Sequence, residues 1–183
     1  MGSPASQHGL GSLVYRKPSP NHGKALHALV GDCPPLDGNS TYAYLILCAH
    51  FADTCVVAEE QGRLIGFISA YRKPAEPNIL FVWQVAVHPC ARGCGVGSRM
   101  LLELLARSAC SNITEIETTV SPDNRASWTL FESLAAKLGA ETSRETFFQE
   151  EDFGEVGHEA ELLLRIGPFD SKQRGKLCRS LKR

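Results

Sequence analysis

The stretch HPCARGCGVGSRML at residues 88–101 places three glycines at alternate positions, Gly93, Gly95 and Gly97. It follows an apolar run, LFVWQVAV at 80–87, and leads into a periodic apolar segment, SRMLLELLARSAC at 98–110. A glycine-rich turn between a strand and a helix offers backbone N–H groups to an anion, and the positive end of the helix dipole adds to their attraction. The stretch therefore predicts a strand, a phosphate-binding turn and a helix.

The composition excludes several classes of protein. The 183 residues are enough for one domain with its own core. A net charge of −1 lacks the basic excess of a nucleic-acid-binding protein. No apolar run approaches the roughly 20 residues that span a bilayer, and the start, MGSPASQHGLGS, lacks the apolar centre of a secretory signal. We therefore expect neither nucleic acid nor a membrane as a partner.

The seven cysteines form no CxxC pair, and several of them fall in apolar periodic segments. This pattern favours a reduced protein that uses cysteine as a small hydrophobic residue, over a disulfide framework or a zinc site. We expect a cytoplasmic protein without a metal.

Hydrophobic periodicity predicts the element order β-α-α-β-β-β-α-β-α-β-β, and hence one mixed α/β sheet with flanking helices. The chain divides into a disordered N-terminus at 1–12, a domain at 13–167 and a flexible tail at 168–183. The end of that tail, DSKQRGKLCRSLKR, carries six basic residues and one acidic residue, which is typical of a solvated end.

The spacing of the glycines decides between kinds of phosphate site. No Gly-Lys-Ser/Thr follows Gly97, so the loop is not a P-loop, and Ser98 stands where a dinucleotide fingerprint needs its third glycine. The segment from Arg92 to Gly97 instead resembles the R/Q-x-x-G-x-G/A loop of the GCN5-related N-acetyltransferase superfamily. Asn124 after the next strand, and A-S-x-x-L-F at 126–131, agree with that superfamily. A tight strand-to-helix turn without a ligand is the alternative.

The resemblance implies that acetyl-CoA lies in a gap between the 80–87 strand and the next strand, with an amine attacking the thioester directly. A backbone N–H on residues 83–87, that of Val85, would face the developing oxyanion. The residues that the resemblance places around acetyl-CoA are Val85, Val87, Arg92, Gly93, Cys94, Gly95, Val96, Gly97, Ser98, Asn124 and Phe131.

One position departs from the superfamily. Many members carry a tyrosine seven residues after the asparagine, as the proton donor to the thiol, and here that residue is Phe131. All four tyrosines precede the loop, so a phenolic donor would be Tyr42 or Tyr44. A thiolate, whose pKa is about 8.5, could also depart without a donor.

Three separated segments narrow the resemblance: residues 35–59, FVWQVAV at 81–87, and 117–131 are similar to the L-2,4-diaminobutyrate N-acetyltransferases of ectoine biosynthesis. The similarity runs from about Leu13 to Ile166. It implies acetyl transfer to the 4-amino group of L-2,4-diaminobutyrate, giving (2S)-4-acetamido-2-aminobutanoate, within bacterial protection against osmotic stress. Superfamily members are often homodimers, and the segment 147–164 contains a sheet edge that could pair.

Candidate residues for the amine lie in the turn before the second helix, on the loop strand and before the last strand. Asp37 and Asn39 are either amine ligands or turn and capping residues, and Tyr42 is either a ligand or a packing residue. Trp83 is either a core aromatic or a wall of the amine channel. His158 and Glu159 are candidate bases, with a surface position as the alternative for His158.

Two other functions remain open at this point. One is acetylation of another amine, such as a polyamine, an aminoglycoside or a protein N-terminus. The other is an inactive acyl-CoA-binding domain, which the missing tyrosine at 131 favours.

Overall fold

The computed structural model describes residues 11–154 and 159–179. A seven-stranded sheet forms the centre of this part of the chain. Its strands are β1 (Leu13–Arg16), β2 (Val56–Glu60), β3 (Arg63–Arg72), β4 (Ile79–Val87), β5 (Glu115–Val120), β6 (Thr142–Phe148) and β7 (Glu161–Ile166). The helices are α1 (Gly23–Gly31), α2 (Thr41–His50), α3 (Val96–Leu105), α4 (Arg125–Leu138) and α5 (Ser171–Arg179).

The strands lie in the order β1-β2-β3-β4-β5-β7-β6. Every neighbouring pair is antiparallel except β4 and β5, which are parallel and are connected through α3. The element order predicted from the periodicity is found up to β7. Helices cover both faces of the sheet, because an apolar sheet face must be buried against another layer of structure.

Two apolar clusters hold the helices on the sheet. On one face, Leu26 of α1 and Tyr44 of α2 pack with Phe67 of β3. On the other, Met100 of α3 and Phe131 of α4 pack against residues of β2, β3, β4, β5 and β7. The glycine at 66 allows a close approach of α3, because a Cβ there would lie 2.9 Å from the Met100 methyl group. Both faces of the central strands are therefore buried, which explains their nearly continuous apolar sequences.

The helix predicted over 98–110 is shorter in the structure. It ends at Leu105, and a short 3-10 turn at Ser108–Cys110 follows. The backbone of Arg107 is extended, and its guanidinium donates to the carbonyl oxygens of Ala52, Asp53 and Cys55. These bonds fix the chain between α3 and β5.

The C-terminal prediction needs a correction. Residues 171–179 form α5, although the charge pattern predicted a flexible tail at 168–183. The Arg174 guanidinium donates to the carbonyl oxygens of Cys110, Ser111 and Ile113, and Leu177 and Cys178 pack against the core. Spacings of three and four residues place these side chains on one helical face, which a count of charges does not detect. Residues 1–10 of the predicted N-terminal segment lie outside the described residues.

Within the described ranges, no helix has both the length and the apolar character that crossing a membrane requires.

Candidate active site

The gap between β4 and β5 is the central feature of the site. The parallel register runs from Ile79 opposite Glu115 to Val82 opposite Thr118 and then stops. On the other side of β4, Ala70 pairs with Val82 and Ser69 pairs with Gln84, so Trp83 is an extra residue in a bulge. Bulges bend a strand and increase its twist. The second half of β4 therefore separates from β5 and leaves an open cleft.

The backbone N–H of Val85 faces this cleft. On either side of it, Gln84 N donates to Ser69 Oγ at 3.2 Å and His88 N donates to Ile65 O at 2.9 Å, both toward β3. Because successive N–H groups of a strand alternate in direction, those of Val85 and Val87 are directed to the opposite side. Val85 and Val87 both line the cavity that opens there. This geometry offers two donors to a ligand in the cleft.

The glycine turn closes one end of the first cavity, which has a volume of about 300 Å³. Gly93 and Gly95 both have a φ of +77°, a conformation that suits glycine, and Gly95 caps the N-terminus of α3. The first N–H groups of a helix have no partner within it, so those of Val96, Gly97 and Ser98 are available to an anion. All three residues line the cavity, together with Arg92.

A second cavity, of about 260 Å³, adjoins the first. Its walls come from the loop before α2, the bulge of β4, the end of β5, the start of α4 and the first residue of β7. The lining residues that both cavities share are Pro35, Leu36, Val85, Asn124 and Ser127. The two cavities therefore meet between these residues, with Val85 among them.

The charges of the two cavities are opposite. Among the described residues, Arg92 is the charged side chain that lines the first cavity, and no carboxylate does so. The second cavity has Asp37 and Glu161 and, within the same part of the chain, no cationic side chain. The first suits a polyanion, and the second suits a cationic amine.

Comparisons with known proteins agree with this arrangement. The sequence profile described as "Acetyltransferase (GNAT) family" matches residues 24–136, which is more than half of the chain. The chain belongs to this acetyltransferase family. The family predicted from the glycine loop and the mixed α/β fold are thereby confirmed, as is the enzyme class, an acyltransferase.

Curated relatives are similar to this acetyltransferase over most of its length. The L-2,4-diaminobutyric acid acetyltransferase of Bordetella parapertussis is 54% identical over 155 residues, covering 84% of this chain and 83% of the relative. The protein of that name from Vibrio cholerae is 47% identical over 153 residues, covering 84% and 88%. A solved structure of diaminobutyrate acetyltransferase EctA from Paenibacillus lautus, in complex with L-2,4-diaminobutyric acid and coenzyme A, has a TM-score of 0.84. It is 42% identical and covers 87% of this chain and 96% of that chain.

Most of the residues predicted for this acetyltransferase from the glycine stretch do lie at the cleft. Cys94 is exposed, is absent from the cavity wall, and its thiol donates to the Arg92 carbonyl. Arg92 itself donates through Nε to Val87 O at 3.2 Å. Asn124 caps α4, accepting from Ser127 N at 3.1 Å, and it lines both cavities. Phe131 is buried and lines the second cavity, so the structure places it beside the amine side of the cleft.

The structure places three of the residues predicted around the amine in one cavity. Asp37, Asn39 and Trp83 line the second cavity. The side chain of Ser40, which accepts from Ala43 N at 3.2 Å, caps α2, so this task does not fall to Asp37 or Asn39.

The tyrosine prediction requires a correction. Tyr42 is 70% exposed and lines neither cavity, because its position in the first turn of α2 directs it to solvent. Tyr44 lies in the core, edge-on to Phe67. Neither tyrosine therefore lines either of the two cavities.

Glu161 is the residue that the sequence interpretation missed. It opens β7 and lines the second cavity, and Ser121 Oγ donates to its Oε1 at 3.2 Å. Val120 pairs with Leu162, and this register sets Glu161 beside the end of β5. Glu159, the predicted base, is exposed and does not line the cavity, while His158 lies outside the described residues. The alternating sequence pattern predicted β7, but only the register of β7 with β5 shows that the Glu161 carboxylate faces the second cavity.

Cys33 is the thiol in the first cavity, and its surroundings disfavour the thiolate form. Burial raises the pKa of Cys33 above its ordinary value, although Arg92 and the Val87 carbonyl oppose this effect. Its Sγ donates to Val87 O at 3.3 Å. A protonated thiol does not form an acyl-cysteine, so direct transfer to the amine fits this cavity better than a covalent relay.

No cluster of three or more His, Cys, Asp or Glu side chains suited to a metal ion occurs in the part of the chain that the structure describes.

Proposed function

We propose that this acetyltransferase transfers the acetyl group of acetyl-CoA to the 4-amino group of L-2,4-diaminobutyrate. The product is (2S)-4-acetamido-2-aminobutanoate, and the reaction belongs to ectoine biosynthesis. The observation that carries the proposal is the pair of oppositely charged cavities that meet at Val85. Two relatives named L-2,4-diaminobutyric acid acetyltransferase, 54% and 47% identical over most of the chain, support the choice of amine.

The donor occupies the first cavity. Its pyrophosphate accepts hydrogen bonds from the N–H groups at the start of α3, and the backbone can approach it closely because Gly93 and Gly95 have no side chains. The thioester carbonyl lies at the junction, where the Val85 N–H donates to the oxygen as it gains negative charge. A fixed backbone donor of this kind contributes roughly 10² to 10³ in rate.

The acceptor occupies the second cavity with its 4-amino group toward Val85. A free alkylammonium has a pKa of about 10, so it must lose a proton before it can attack. We assign this base to Glu161, which lines the cavity, in preference to the exposed Glu159. Asp37, on the loop, pairs with the other ammonium group. The hydroxyl group of Ser127 is a donor for the carboxylate of the substrate.

The transfer then proceeds in one displacement. The neutral amine nitrogen bonds to the thioester carbon, the carbon–sulfur bond breaks, and the electron pair leaves with the sulfur of CoA. The second proton of the nitrogen passes through solvent to the departing thiolate, which leaves a neutral amide and the CoA thiol. A thiolate with a pKa of about 8.5 departs near neutral pH without a dedicated acid. This chemistry fits a site in which Phe131 takes the place of a tyrosine.

We further propose that the protein is a homodimer and that it acts in the cytoplasm. All seven side chains of the edge strand β6 are exposed, and Phe147 and Phe148 are 47% and 42% exposed. They line a third cavity, of about 380 Å³, which also includes Trp83 of the amine cavity. An exposed strand edge beside aromatic side chains can pair with a second copy of the chain. Seven free cysteines suit a reducing compartment.

Thiol release tests the function. The protein is mixed with acetyl-CoA and, in turn, L- and D-2,4-diaminobutyrate, ornithine, lysine, spermidine and an aminoglycoside. We expect release with L-2,4-diaminobutyrate at the highest kcat/KM. Absence of release with every amine would favour an inactive acyl-CoA-binding domain, and release with spermidine or the aminoglycoside alone would overturn the assigned acceptor. Sedimentation velocity tests the dimer, and a monomer at micromolar concentration contradicts it.

A further inference from the structure

The side chain of Gln84 connects the donor strand to the amine loop. Gln84 is 5% exposed and lies between Trp83 and Val85 in the bulge of β4. Its Nε2 donates to the backbone carbonyl of Asp37 at 2.9 Å. Gln84 also lines the second cavity, and a buried glutamine that binds a loop carbonyl holds that loop at a fixed distance from its own strand.

Tyr44 completes the connection from the other side. Its hydroxyl donates to Gln84 Oε1 and accepts from Asn39 N, both at 3.4 Å. Tyr44 is fully buried, and its ring is held edge-on by Phe67 and His27. The loop from Asp37 to Asn39 is therefore fixed at both ends to one buried polar network.

The bulge explains why Gln84 can make these bonds. The extra residue Trp83 shifts the register directly before Gln84, and the Gln84 N–H donates to the hydroxyl of its partner Ser69 at 3.2 Å. Ser69 is fully buried. The side chain of Gln84 then lies on the α2 face of the sheet, under the loop, while the next N–H along the strand, that of Val85, faces the cleft.

We propose that Gln84 is a positioning residue, which acts through the Asp37–Asn39 loop to set the distance between the amine and the thioester. The inference rests on the proposed function, because it assigns the loop to the amine and the Val85 N–H to the acetyl group. Gln84 bonds to the loop backbone, and the loop carries the ligand side chains. Loss of the Gln84 side-chain amide frees the loop but leaves the glycine turn unchanged. The KM for the amine should therefore change, whereas the KM for acetyl-CoA should not.

The test compares Gln84→Met with a matched control, Thr54→Val. Thr54 is also buried, and its hydroxyl also donates to a backbone carbonyl, that of Ala70 at 2.6 Å, but it lines neither cavity. For Gln84→Met we expect the KM for L-2,4-diaminobutyrate to rise about tenfold, the equivalent of one hydrogen bond, with the KM for acetyl-CoA within about twofold. For Thr54→Val we expect both KM values to stay within about twofold, whatever its effect on thermal stability.

A second variant and a second readout keep the inference testable if Gln84→Met does not fold. Tyr44→Phe removes a single oxygen, and we expect it to change the same KM in the same direction by a smaller factor. In the free protein, hydrogen exchange at residues 36–39 should accelerate in either variant while β4 stays protected. Equal rises of both KM values, or unchanged exchange in the loop, would overturn the inference. A wild-type protein without activity toward the diamine would contradict the proposed function instead, and the exchange result would still decide the role of Gln84.

Discussion

The two cavities are built in different ways. The first takes more of its lining residues from one continuous stretch, residues 91–98, than from any other part of the chain, and that stretch offers mainly backbone N–H groups and small side chains. The second takes its polar side chains from five separate parts of the chain, with Asp37 and Glu161 as its charges. A phosphate can be bound by backbone alone, whereas a small diamine needs side chains placed around it. A short sequence motif is therefore enough to specify the phosphate end of the first cavity, whereas the second cavity exists only once the sheet has assembled.

The largest effect is expected at the base of the second cavity. Glu161→Gln keeps the size of the side chain and removes its ability to accept a proton, so kcat should fall about 100-fold or more. The KM for acetyl-CoA should stay within about twofold, because the first cavity is unchanged. Steady-state kinetics with L-2,4-diaminobutyrate measures both.

Glu159→Gln is the matched control, since this carboxylate lies two residues earlier and outside the cavity. A large loss in Glu159→Gln together with an active Glu161→Gln protein would exchange the roles of the two residues.

The next effect concerns the first cavity. Gly95→Val forces a β-branched residue to a φ of +77° at the N-terminus of α3, so the turn must change shape. We expect kcat/KM for acetyl-CoA to fall about 30-fold, with a smaller effect on the KM for the amine.

Gly62→Val controls for the strain itself. Gly62 has a φ of +81° in the β2–β3 turn, and the added Cβ meets no atom within 4 Å there. It should lower stability without changing the kinetics. A comparable loss of acetyl-CoA turnover in both variants would mean that strain, and not the phosphate turn, causes the defect.

A third change affects the loop side of the second cavity. Asp37→Ala removes one of its two carboxylates and should raise the KM for L-2,4-diaminobutyrate about tenfold, the value of one charge-assisted hydrogen bond. Binding of acetyl-CoA, followed by calorimetry, should remain intact. Asp32→Ala, an exposed carboxylate on the same connection between α1 and α2, serves as control. Loss of acetyl-CoA binding in Asp37→Ala would make Asp37 a structural residue.

The sequence predicted the glycine turn of the first cavity and the order of the helices and strands along the chain, because both depend on local patterns. Alternating and periodic apolar residues identify the strands and helices, and the glycine spacing identifies the phosphate turn. The second cavity depends on pairing. Glu161 joins the site because Val120 pairs with Leu162, and Trp83 joins it because of a bulge opposite Ser69 and Ala70. Tyr42 was assigned to the site by its place in the turn, but the orientation of α2 directs it to solvent.

The smallest kinetic effect is expected outside both cavities. Glu117 of β5 is 1% exposed and accepts from Lys73 at 2.9 Å and from Arg165 at 2.7 Å. Burial alone would raise the pKa of Glu117, but these bonds outweigh it and hold the pKa below its ordinary value of 4.5. The lowered pKa means that the carboxylate stabilises the native state above pH 4.5, and that this contribution is lost as the pH falls through the lowered pKa.

Glu117→Gln should therefore lower the free energy of unfolding by about 2 kcal/mol at pH 7, since both cationic partners reach solvent. Its difference from the wild type should shrink in acid. Urea unfolding at pH 7, 5 and 3.5 measures this, while the KM values stay within about twofold. A difference that grows toward low pH would contradict the assigned direction of the shift.

The identity of the acetylated nitrogen tests the central claim most directly, because it depends on both cavities at once. L-2,4-diaminobutyrate, acetyl-CoA and the protein are incubated together, and the product is examined by NMR. With the amine in the second cavity and its 4-amino group toward Val85, the product is (2S)-4-acetamido-2-aminobutanoate. Acetylation of the 2-amino group, or the absence of an acetylated product, would contradict the account.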